Sequence, residues 1–334
     1  MSSSILSFEL SCVVDKDKLD RILEKVSENN YQLYEADFGF VDESYISKGI
    51  GVEYHYDSRK KKIKMIVNPS ALLKNGDSLW KPTDKNATKL CDKLDQFMGM
   101  YCDDCSLNDF RMTSVSLAAD IEVGNPARVS DYIKVLHNMG KIKGFSPIKY
   151  SKRGGGINKD SAFVLVGNSV DIEFMAYSKD AMSGDDDTTS KKLRMKHYND
   201  VLRVEVRLTS HDAICKCTDE TKTSKQLKGL SAISEDMFMA VFERIVPRGN
   251  YYKKNHAQKL IKDGIPDRRL REKMLRLLEL IPAKKSLLLA QKALNIRDIH
   301  DIMKKFSDIN VSPITLSKRQ NINNLDSLYS FIDD

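Results

Sequence analysis

The sequence lacks any hydrophobic segment long enough to cross a membrane. A membrane-spanning helix needs about 18 to 20 consecutive apolar residues, and the longest apolar run, Leu275–Ile281, is interrupted by Arg276 and Glu279. The first ten residues include Glu9 and carry no basic segment, so they do not fit the pattern of a signal peptide. We therefore expect a cytoplasmic protein that has no membrane partner.

Two common signatures of bound nucleotide or zinc are also missing. No G-x-x-x-x-G-K-S/T segment is present, and the glycine-rich segment Lys152–Gly156 precedes no predicted helix, so we interpret it as a flexible loop. Among the six cysteines, Cys102 and Cys105 have the spacing of half a zinc site, but Cys215 and Cys217 do not supply the other half. We expect free thiols.

Positive charge is present in excess and is concentrated in one segment. The net charge is +7 and the pI is near 8.9. Between Arg248 and Lys285, twelve basic residues are accompanied by four acidic ones, and this surplus is larger than that of the whole chain. Such a concentration favours a nucleic-acid-binding surface. The alternative is a solvated helix face with ordinary salt bridges.

The pattern of apolar residues predicts strands in the first two-thirds of the chain and helices in the last third. We predict strands over Ser4–Val14, Ile50–Tyr56, Ile63–Val67, Thr113–Val123, Ser161–Val166, Val170–Tyr177 and Val201–Leu208. We predict helices over Lys16–Ser27, Asn86–Met100, Pro126–Met139, Ile233–Ile245, Arg268–Leu280, Leu287–Ala293 and Ile296–Phe306.

These elements predict an α+β architecture in two domains. With 334 residues and 41% hydrophobic composition, the chain is long enough for two cores. We expect a central antiparallel sheet flanked by helices over residues 1–217, followed by a smaller all-helical basic domain over residues 218–334. The segment Cys217–Gly229 is the predicted loop between them.

Three of the predicted strands carry charged residues or tyrosine in strict alternation with apolar ones. Because side chains alternate along a strand, Asp120 and Glu122 share one face of the first of these strands. The opposite, apolar faces are expected to pack against helices. Neighbouring strands would gather five polar side chains: Asp120, Tyr177, Lys179, Arg203 and Glu205.

A set of this kind suits phosphoryl transfer by a tyrosine. Carboxylates hold hard divalent cations, and such a cation can polarise a phosphate. A tyrosine hydroxyl, with a free pKa of about 10, is a poor nucleophile until a base or cation assists it. Lysine and arginine can bind the phosphate. The alternative from spacing alone is the solvated face of a sheet.

The segments Phe163–Ser169, Val170–Lys179 and Leu202–Leu208 resemble the Rep_trans type of plasmid replication initiator and the gene II/X replication proteins of filamentous phages. The resemblance is specific around the tyrosine and glutamate strands. In those families a hairpin with a small glycine turn ends in an apolar-Tyr-x-Lys motif, and a following strand carries Arg-x-Glu-x-Arg. The resemblance implies a catalytic domain similar to the HUH nickases.

The same resemblance implies roles for the residues that match. Tyr177 would be the nicking nucleophile, with Lys179 and Arg203 beside it. Glu205 would bind Mg²⁺ or Mn²⁺, together with Asp120 and with Glu122 in reserve.

The sequence departs from the families' pattern at the strand that carries Asp120. Ser114 and Ser116 stand where an Arg and a first Asp are expected, which puts the set of metal ligands in doubt. The His-x-His pair of the HUH nickases is absent from the sequence as well.

The implied function is initiation of rolling-circle replication through a 5′-phosphotyrosine intermediate. The helical domain would bind double-stranded origin DNA, and the catalytic domain would bind the single-stranded nick site. A host polymerase and a separate helicase are the expected partners, and a homodimer is the assembly considered. The expected DNA-binding residues are Lys253, Lys254, Arg268, Arg269, Arg271 and Arg276.

Three alternatives stay open at the level of sequence. The first is an origin-binding or regulatory protein without catalysis, which Ser116 motivates. The second is a mobilisation relaxase with similar chemistry. The third is a purely structural or interaction protein, which the joint presence of the Tyr-x-Lys and Arg-x-Glu strands argues against.

Overall fold

The architecture is described from a computed structural model of the chain. It describes residues 4–15, 17–18, 20–21, 33–36, 39–42, 51–57, 61–73, 79–101, 106–149, 159–182 and 199–332. Most of the predicted helix Lys16–Ser27, the glycine-rich segment Lys152–Gly156, and Cys102 with Cys105 lie outside these residues.

The chain divides into two compact units. One, here called the site unit, consists of Met1–Ser2, Ala119–Glu205 and Met239–Asp334. The other, the sheet unit, consists of Ser3–Ala118 and Val206–Phe238. This division follows different lines from the predicted boundary at residue 217, because residues 239–334 pack with residues 119–205. The assignment of catalysis to residues 1–217 and of DNA binding to residues 218–334 stays a prediction.

Twelve strands are present in the described residues: β1 Ser4–Val13, β2 Leu33–Ala36, β3 Gly39–Asp42, β4 Val52–Asp57, β5 Lys62–Val67, β6 Arg111–Glu122, β7 Phe145–Pro147, β8 Ala162–Gly167, β9 Ile172–Ser178, β10 Val201–Leu208, β11 Tyr251–Tyr252 and β12 Asn324–Leu325. In the sheet unit the order of neighbours is β2-β3-β4-β5-β1-β6, and in the site unit it is β6-β10-β9-β8-β7. Strands β6 and β10 each contribute residues to both units.

Strand pairing is antiparallel at β1–β5, β1–β6, β2–β3, β3–β4, β4–β5, β7–β8 and β8–β9. Together with the helices, this pairing confirms the α+β class and the antiparallel sheet. The sheet unit buries the alternating apolar side chains of β1 and β5, among them Phe8, Leu10 and Met65.

The described helices are α1 Pro69–Leu72, α2 Asp84–Tyr101, α3 Pro126–Met139, α4 His211–Thr218, α5 Thr223–Ile245, α6 Lys254–Gly264, α7 Arg268–Lys284, α8 Leu287–Ala293 and α9 His300–Asp308. Helix α3 has the predicted bounds because its ends are encoded locally. The side chain of Asn125 accepts from the Arg128 amide, and Gly140 ends the helix at φ 55°. A Cβ at Gly140 would lie 2.0 Å from the carbonyl oxygen of Lys285, so only glycine fits there.

The predicted loop over Cys217–Gly229 is wrong. Residues up to Thr218 belong to α4, and α5 already begins at Thr223. The Thr223 hydroxyl donates to the carbonyl of Phe110, and Leu227 and Leu230 are fully buried. Their spacing of three residues places both on one helix face, and this contact outweighs the polar composition that suggested a loop.

Two further findings concern membranes and cysteines. No helix among the described residues is both long and apolar enough to span a bilayer. Among the described cysteines, Cys12, Cys91, Cys215 and Cys217 form no disulfide. Burial raises the pKa of the Cys91 thiol to about 11, so it stays a neutral, unreactive group at pH 7.

Candidate active site

The candidate active site is built on the β8–β9 hairpin of the site unit. The hairpin turns tightly at Gly167, where a Cβ would lie 2.3 Å from the Val170 carbonyl oxygen. The register pairs Ala162 with Tyr177, which fixes Tyr177 near the end of β9. Lys179 follows at the start of a 3₁₀ turn, Lys179–Met182.

One face of this hairpin packs on helices, as the alternation predicts. Phe163 and Phe174 are fully buried, with ring centroids 6.4 Å apart. Phe163 meets the ring of His137 on α3 edge-on at 5.2 Å, and Phe174 meets Phe242 on α5 at 6.4 Å. The His137 Nε2 atom also hydrogen-bonds the carbonyl of Ala162 at 3.0 Å, which ties β8 to α3. These contacts hold the strand that carries Tyr177.

The opposite face is buried too, so at Tyr177 and Glu205 it is not the solvated sheet face that spacing alone allows. The Tyr177 side chain clusters with Ala162, Val164 and Met175, and Tyr177 is 4% exposed. Its hydroxyl donates a hydrogen bond of 3.0 Å to Oε2 of Glu205, a residue 1% exposed. The nucleophile predicted from the sequence therefore lies in an apolar setting, bound to one carboxylate.

This environment keeps the tyrosine protonated. Burial raises the pKa of the Tyr177 hydroxyl well above its usual value of about 10, and the negative charge of Glu205 raises it further. The positive charge of Arg203 acts in the opposite direction but is smaller in effect. At neutral pH, the phenol can attack a phosphate only if a neighbouring group accepts its proton as it reacts.

A second group of charges centres on Asp120 of β6. Arg203 of β10 binds it through two parallel hydrogen bonds, Nε to Oδ1 at 2.6 Å and Nη2 to Oδ2 at 2.8 Å. The Lys179 ammonium donates to Oδ2 at 2.9 Å. The three side chains are each less than a quarter exposed. The strand order β6-β10-β9 thus brings together all five predicted polar residues.

The carboxylate of Asp120 is stabilised in its charged form. Burial by itself would raise the pKa of Asp120, but the hydrogen bonds and charges of Arg203, followed by those of Lys179, lower it below the usual value. The same pairing raises the pKa of Arg203 against the effect of burial. Asp120 is therefore an anion whose charge is already compensated by two cations.

The donor atoms present do not fit a divalent metal ion. Both oxygens of Asp120 accept hydrogen bonds from cations, and Glu205 accepts one from Tyr177. Glu122, the reserve ligand, is exposed. In the part of the chain that the structure describes, no three His, Cys, Asp or Glu side chains lie close enough to share one ion. Mg²⁺ keeps several of its waters and takes one or two protein carboxylates as ligands, and here both candidate carboxylates already accept hydrogen bonds from other side chains.

Ser116, which stands where the resembling families have an acidic residue, has a partner of its own. Its hydroxyl accepts a hydrogen bond of 3.0 Å from Nε of Arg207, within the sheet unit. Ser116 is 2% exposed. This interaction gives the serine a role in the packing of β6 and β10.

The basic segment forms helices α6 and α7, joined by residues 265–267. Helix α7 starts where Asp267 accepts the Leu270 amide at 3.1 Å. It buries one side, formed by Met274, Leu277, Leu278 and Ile281. Three exposed basic residues, here called the basic stripe, occupy another side at spacings of four and three: Arg269, Lys273 and Arg276.

Other basic residues expected to bind DNA make contacts within the chain. Arg268 pairs with Glu272 at 3.0 Å, Lys254 with Glu279 at 3.4 Å, and Arg271 donates to the Ile265 carbonyl at 3.0 Å.

Lys253 departs most from the prediction, because it serves the fold. Its ammonium donates to the backbone carbonyls of Ser317, Lys318 and Gln320 at 2.7, 3.4 and 2.5 Å. Lys253 therefore has a structural role, and its place on the DNA surface stays a prediction.

Sequence reasoning missed some of these pairings but could have found one. Arg268 and Glu272 stand four residues apart on a predicted helix, a spacing typical of an ion pair. Lys253 gave no such signal, because its partners lie 64 to 67 residues further along the chain.

Comparisons with known proteins do not assign the chain to a family. No protein-family model matches the sequence, and no curated protein is found to match it. Among solved structures, the chain is similar to a rolling circle replication initiator protein from Geobacillus stearothermophilus, at 12% identity and a TM-score of 0.35, over 73% of this chain and 85% of that one. At these values, neither the fold nor the activity of that protein transfers to this chain.

Proposed function

We propose that the chain is an initiator of rolling-circle DNA replication that nicks and rejoins single-stranded DNA through Tyr177. The observation that carries this proposal is the hydrogen bond from the Tyr177 hydroxyl to the buried Glu205, beside two cations aligned on Asp120. A nucleophile, a proton acceptor and positive charge for a phosphate lie on the neighbouring strands β9 and β10 and on the turn that follows β9. The earlier resemblance points the same way.

In the proposed reaction the Tyr177 oxygen attacks the scissile phosphorus. Glu205 accepts the phenolic proton, because its carboxylate is within hydrogen-bonding distance of the hydroxyl. The bond between phosphorus and the 3′ oxygen breaks, which leaves a 5′-phosphotyrosine and a free 3′-hydroxyl for a host polymerase. A second transesterification closes the displaced strand, and strand separation falls to a separate helicase.

We propose that duplex origin DNA binds the basic stripe of α7. The guanidinium and ammonium groups of Arg269, Lys273 and Arg276 are exposed, whereas the carboxylates of Glu272 and Glu279 are paired with Arg268 and Lys254. At a rise of 1.5 Å per residue, the stripe extends over roughly 10 Å. A row of basic side chains on one side of a helix is suited to the phosphates that flank a groove.

The test is covalent capture. Supercoiled DNA of the parent replicon, incubated with the protein, should yield relaxed DNA joined to protein that survives denaturation. Tyr177→Phe should give none, and Tyr252→Phe, which alters a half-buried tyrosine outside the site, should behave like the wild type. An adduct that persists in Tyr177→Phe would show that another residue is the nucleophile.

A second candidate function is an origin-binding protein without catalysis. It is favoured by Ser116, which stands at a position where the resembling families have an acidic residue and which here binds Arg207. The same assay separates the two functions. Sequence-specific binding of origin DNA with no covalent adduct under any condition would favour the non-catalytic protein.

A further inference from the structure

The pairing of Asp120 raises a question about where positive charge for the phosphate comes from. Asp120 already binds two cations, Arg203 and Lys179, and Glu205 already accepts a hydrogen bond from Tyr177. A divalent ion on both carboxylates would have to displace Arg203 and Lys179 from Asp120. Those two charges would then be left close to the ion in a region of low exposure, which is costly.

Arg203 has more donors than its contacts with Asp120 use. A guanidinium has five N–H groups, and Arg203 uses Nε and Nη2 on Asp120 and a further one on the Tyr177 hydroxyl. The parallel hydrogen bonds hold the guanidinium plane in one orientation. Arginine held in this way is suited to bind a phosphate, because its remaining N–H groups are fixed in place before the substrate arrives.

We propose that Arg203 and Lys179, aligned by Asp120, supply the positive charge on the scissile phosphate, so that nicking by this chain needs no divalent ion. The inference rests on the proposed function and departs from the metal site that the resemblance implies. In the step itself, the Tyr177 oxygen forms its bond to phosphorus and its proton passes to Glu205. The 3′ oxygen leaves and takes up a proton from water. Arg203 and Lys179 bind the two non-bridging oxygens, whose charge grows in the transition state.

Within this scheme Asp120 is a positioning residue and Arg203 and Lys179 are catalytic. Arg203→Lys keeps the charge but loses the paired geometry, and Lys179→Gln loses one charge. We expect each to slow formation of the adduct by about 100-fold, the typical loss for one donor at a developing anion. Added Mn²⁺ should rescue neither variant. Thermal melting of each variant, measured in parallel, separates slow chemistry from loss of fold.

Two measurements test the proposal on the wild-type chain. The first is formation of the Tyr177 adduct in EDTA and in Mg²⁺ or Mn²⁺. The second is binding of Mn²⁺ to the protein without DNA, measured by the loss of the free-ion EPR signal, with Glu205→Gln as the matched variant.

Each outcome decides between the proposal and its rivals. We expect the adduct to form in EDTA at the same rate as in Mg²⁺ or Mn²⁺. We also expect the wild-type chain to bind no Mn²⁺ that is lost in Glu205→Gln. An adduct that requires metal, or one Mn²⁺ per chain that is lost in Glu205→Gln, would overturn this inference and leave the proposed function standing. If no adduct forms in either condition, the proposed function is overturned together with the role of the two cations.

Discussion

The Tyr177 site and the basic stripe are both rich in arginine and lysine, but these side chains are buried and paired in the first and exposed in the second. Around Tyr177, Arg203 and Lys179 are less than a sixth exposed and both bind Asp120. On α7, Arg269, Lys273 and Arg276 are exposed, and the nearby carboxylates of Glu272 and Glu279 pair with Arg268 and Lys254 instead. A buried charge requires a partner, whereas a solvated one does not. Burial, and not residue type, therefore distinguishes the two groups of basic residues.

The largest difference in stability should appear when one arginine in each region is replaced by methionine in separate variants. Arg203→Met leaves Asp120 buried beside Lys179 alone, and we expect a loss of about 3 to 5 kcal/mol in the free energy of unfolding. Arg269→Met should change it by less than about 0.5 kcal/mol. Urea unfolding measures both, and equal losses would remove the distinction between the two regions.

A pH series sharpens the comparison for carboxylates. The pKa of Asp120 is lowered in the folded chain, so its contribution is present at pH values above the unfolded pKa of about 3.9 and is lost as the pH falls through the lower, folded value. At pH 7, Asp120→Asn should cost about 3 kcal/mol, since Arg203 and Lys179 are left with little exposure and without their anion. The difference in the free energy of unfolding between the wild type and Asp120→Asn should become smaller as the pH approaches 3.

The exposed pair of Asp308 and Lys305, 2.8 Å apart, is the control for that series. The pKa of Asp308 is also lowered, by its hydrogen bond to Lys305, but solvent screens a fully exposed pair. We expect Asp308→Asn to leave the dependence of urea unfolding on pH unchanged. If the stability difference between the wild type and Asp120→Asn stayed constant with pH, the pairing of Asp120 with Arg203 and Lys179 would be contradicted.

Two lysines of the basic segment test whether contacts within the chain, and not position in the segment, determine how much a lysine contributes to stability. Lys253→Met removes three hydrogen bonds to backbone carbonyls and should cost about 1.5 kcal/mol of stability. Lys259→Met, on the exposed side of α6, should cost none that can be measured. Melting temperatures of the two variants give the answer, and a larger loss for Lys259→Met would refute the structural role of Lys253.

The smallest effect concerns DNA binding by adjacent arginines. Arg269→Gln should reduce the slope of log affinity against log salt for duplex DNA by about 0.9, one phosphate contact. Arg268→Gln, which removes an arginine paired with Glu272, should reduce it less. Titration of labelled origin duplex at several salt concentrations distinguishes them. An equal change for both would mean that net charge, and not the basic stripe, governs binding.

The fold was predictable where local signals determine the elements. Strand β10 and helices α3 and α8 have the predicted bounds, because alternation, the Asn125 cap and Gly140 are local features. The two-residue strands β11 and β12 were not predicted, since a pair of residues shows no periodicity.

The members of the candidate site were predictable, but their pairing was not. Alternation along β6, β9 and β10 places the five polar side chains on one side of each strand. Which carboxylate binds which cation depends on the order β6-β10-β9, and that order is a long-range property of the sheet. The expected metal ligand Asp120 therefore became a partner of Arg203, which lies 83 residues away in the chain.

The three carbonyls that hold the Lys253 ammonium also govern how that nitrogen reacts with reagents. An acylating reagent needs the nitrogen lone pair, and at Lys253 the N–H groups are engaged with Ser317, Lys318 and Gln320. Exposed amines such as that of Lys273 will be modified first. We expect Lys253 to be modified more slowly than Lys273, because its contacts with Ser317, Lys318 and Gln320 must loosen first. The rate at which Lys253 is labelled would therefore report how often the segment around residues 317–320 opens locally.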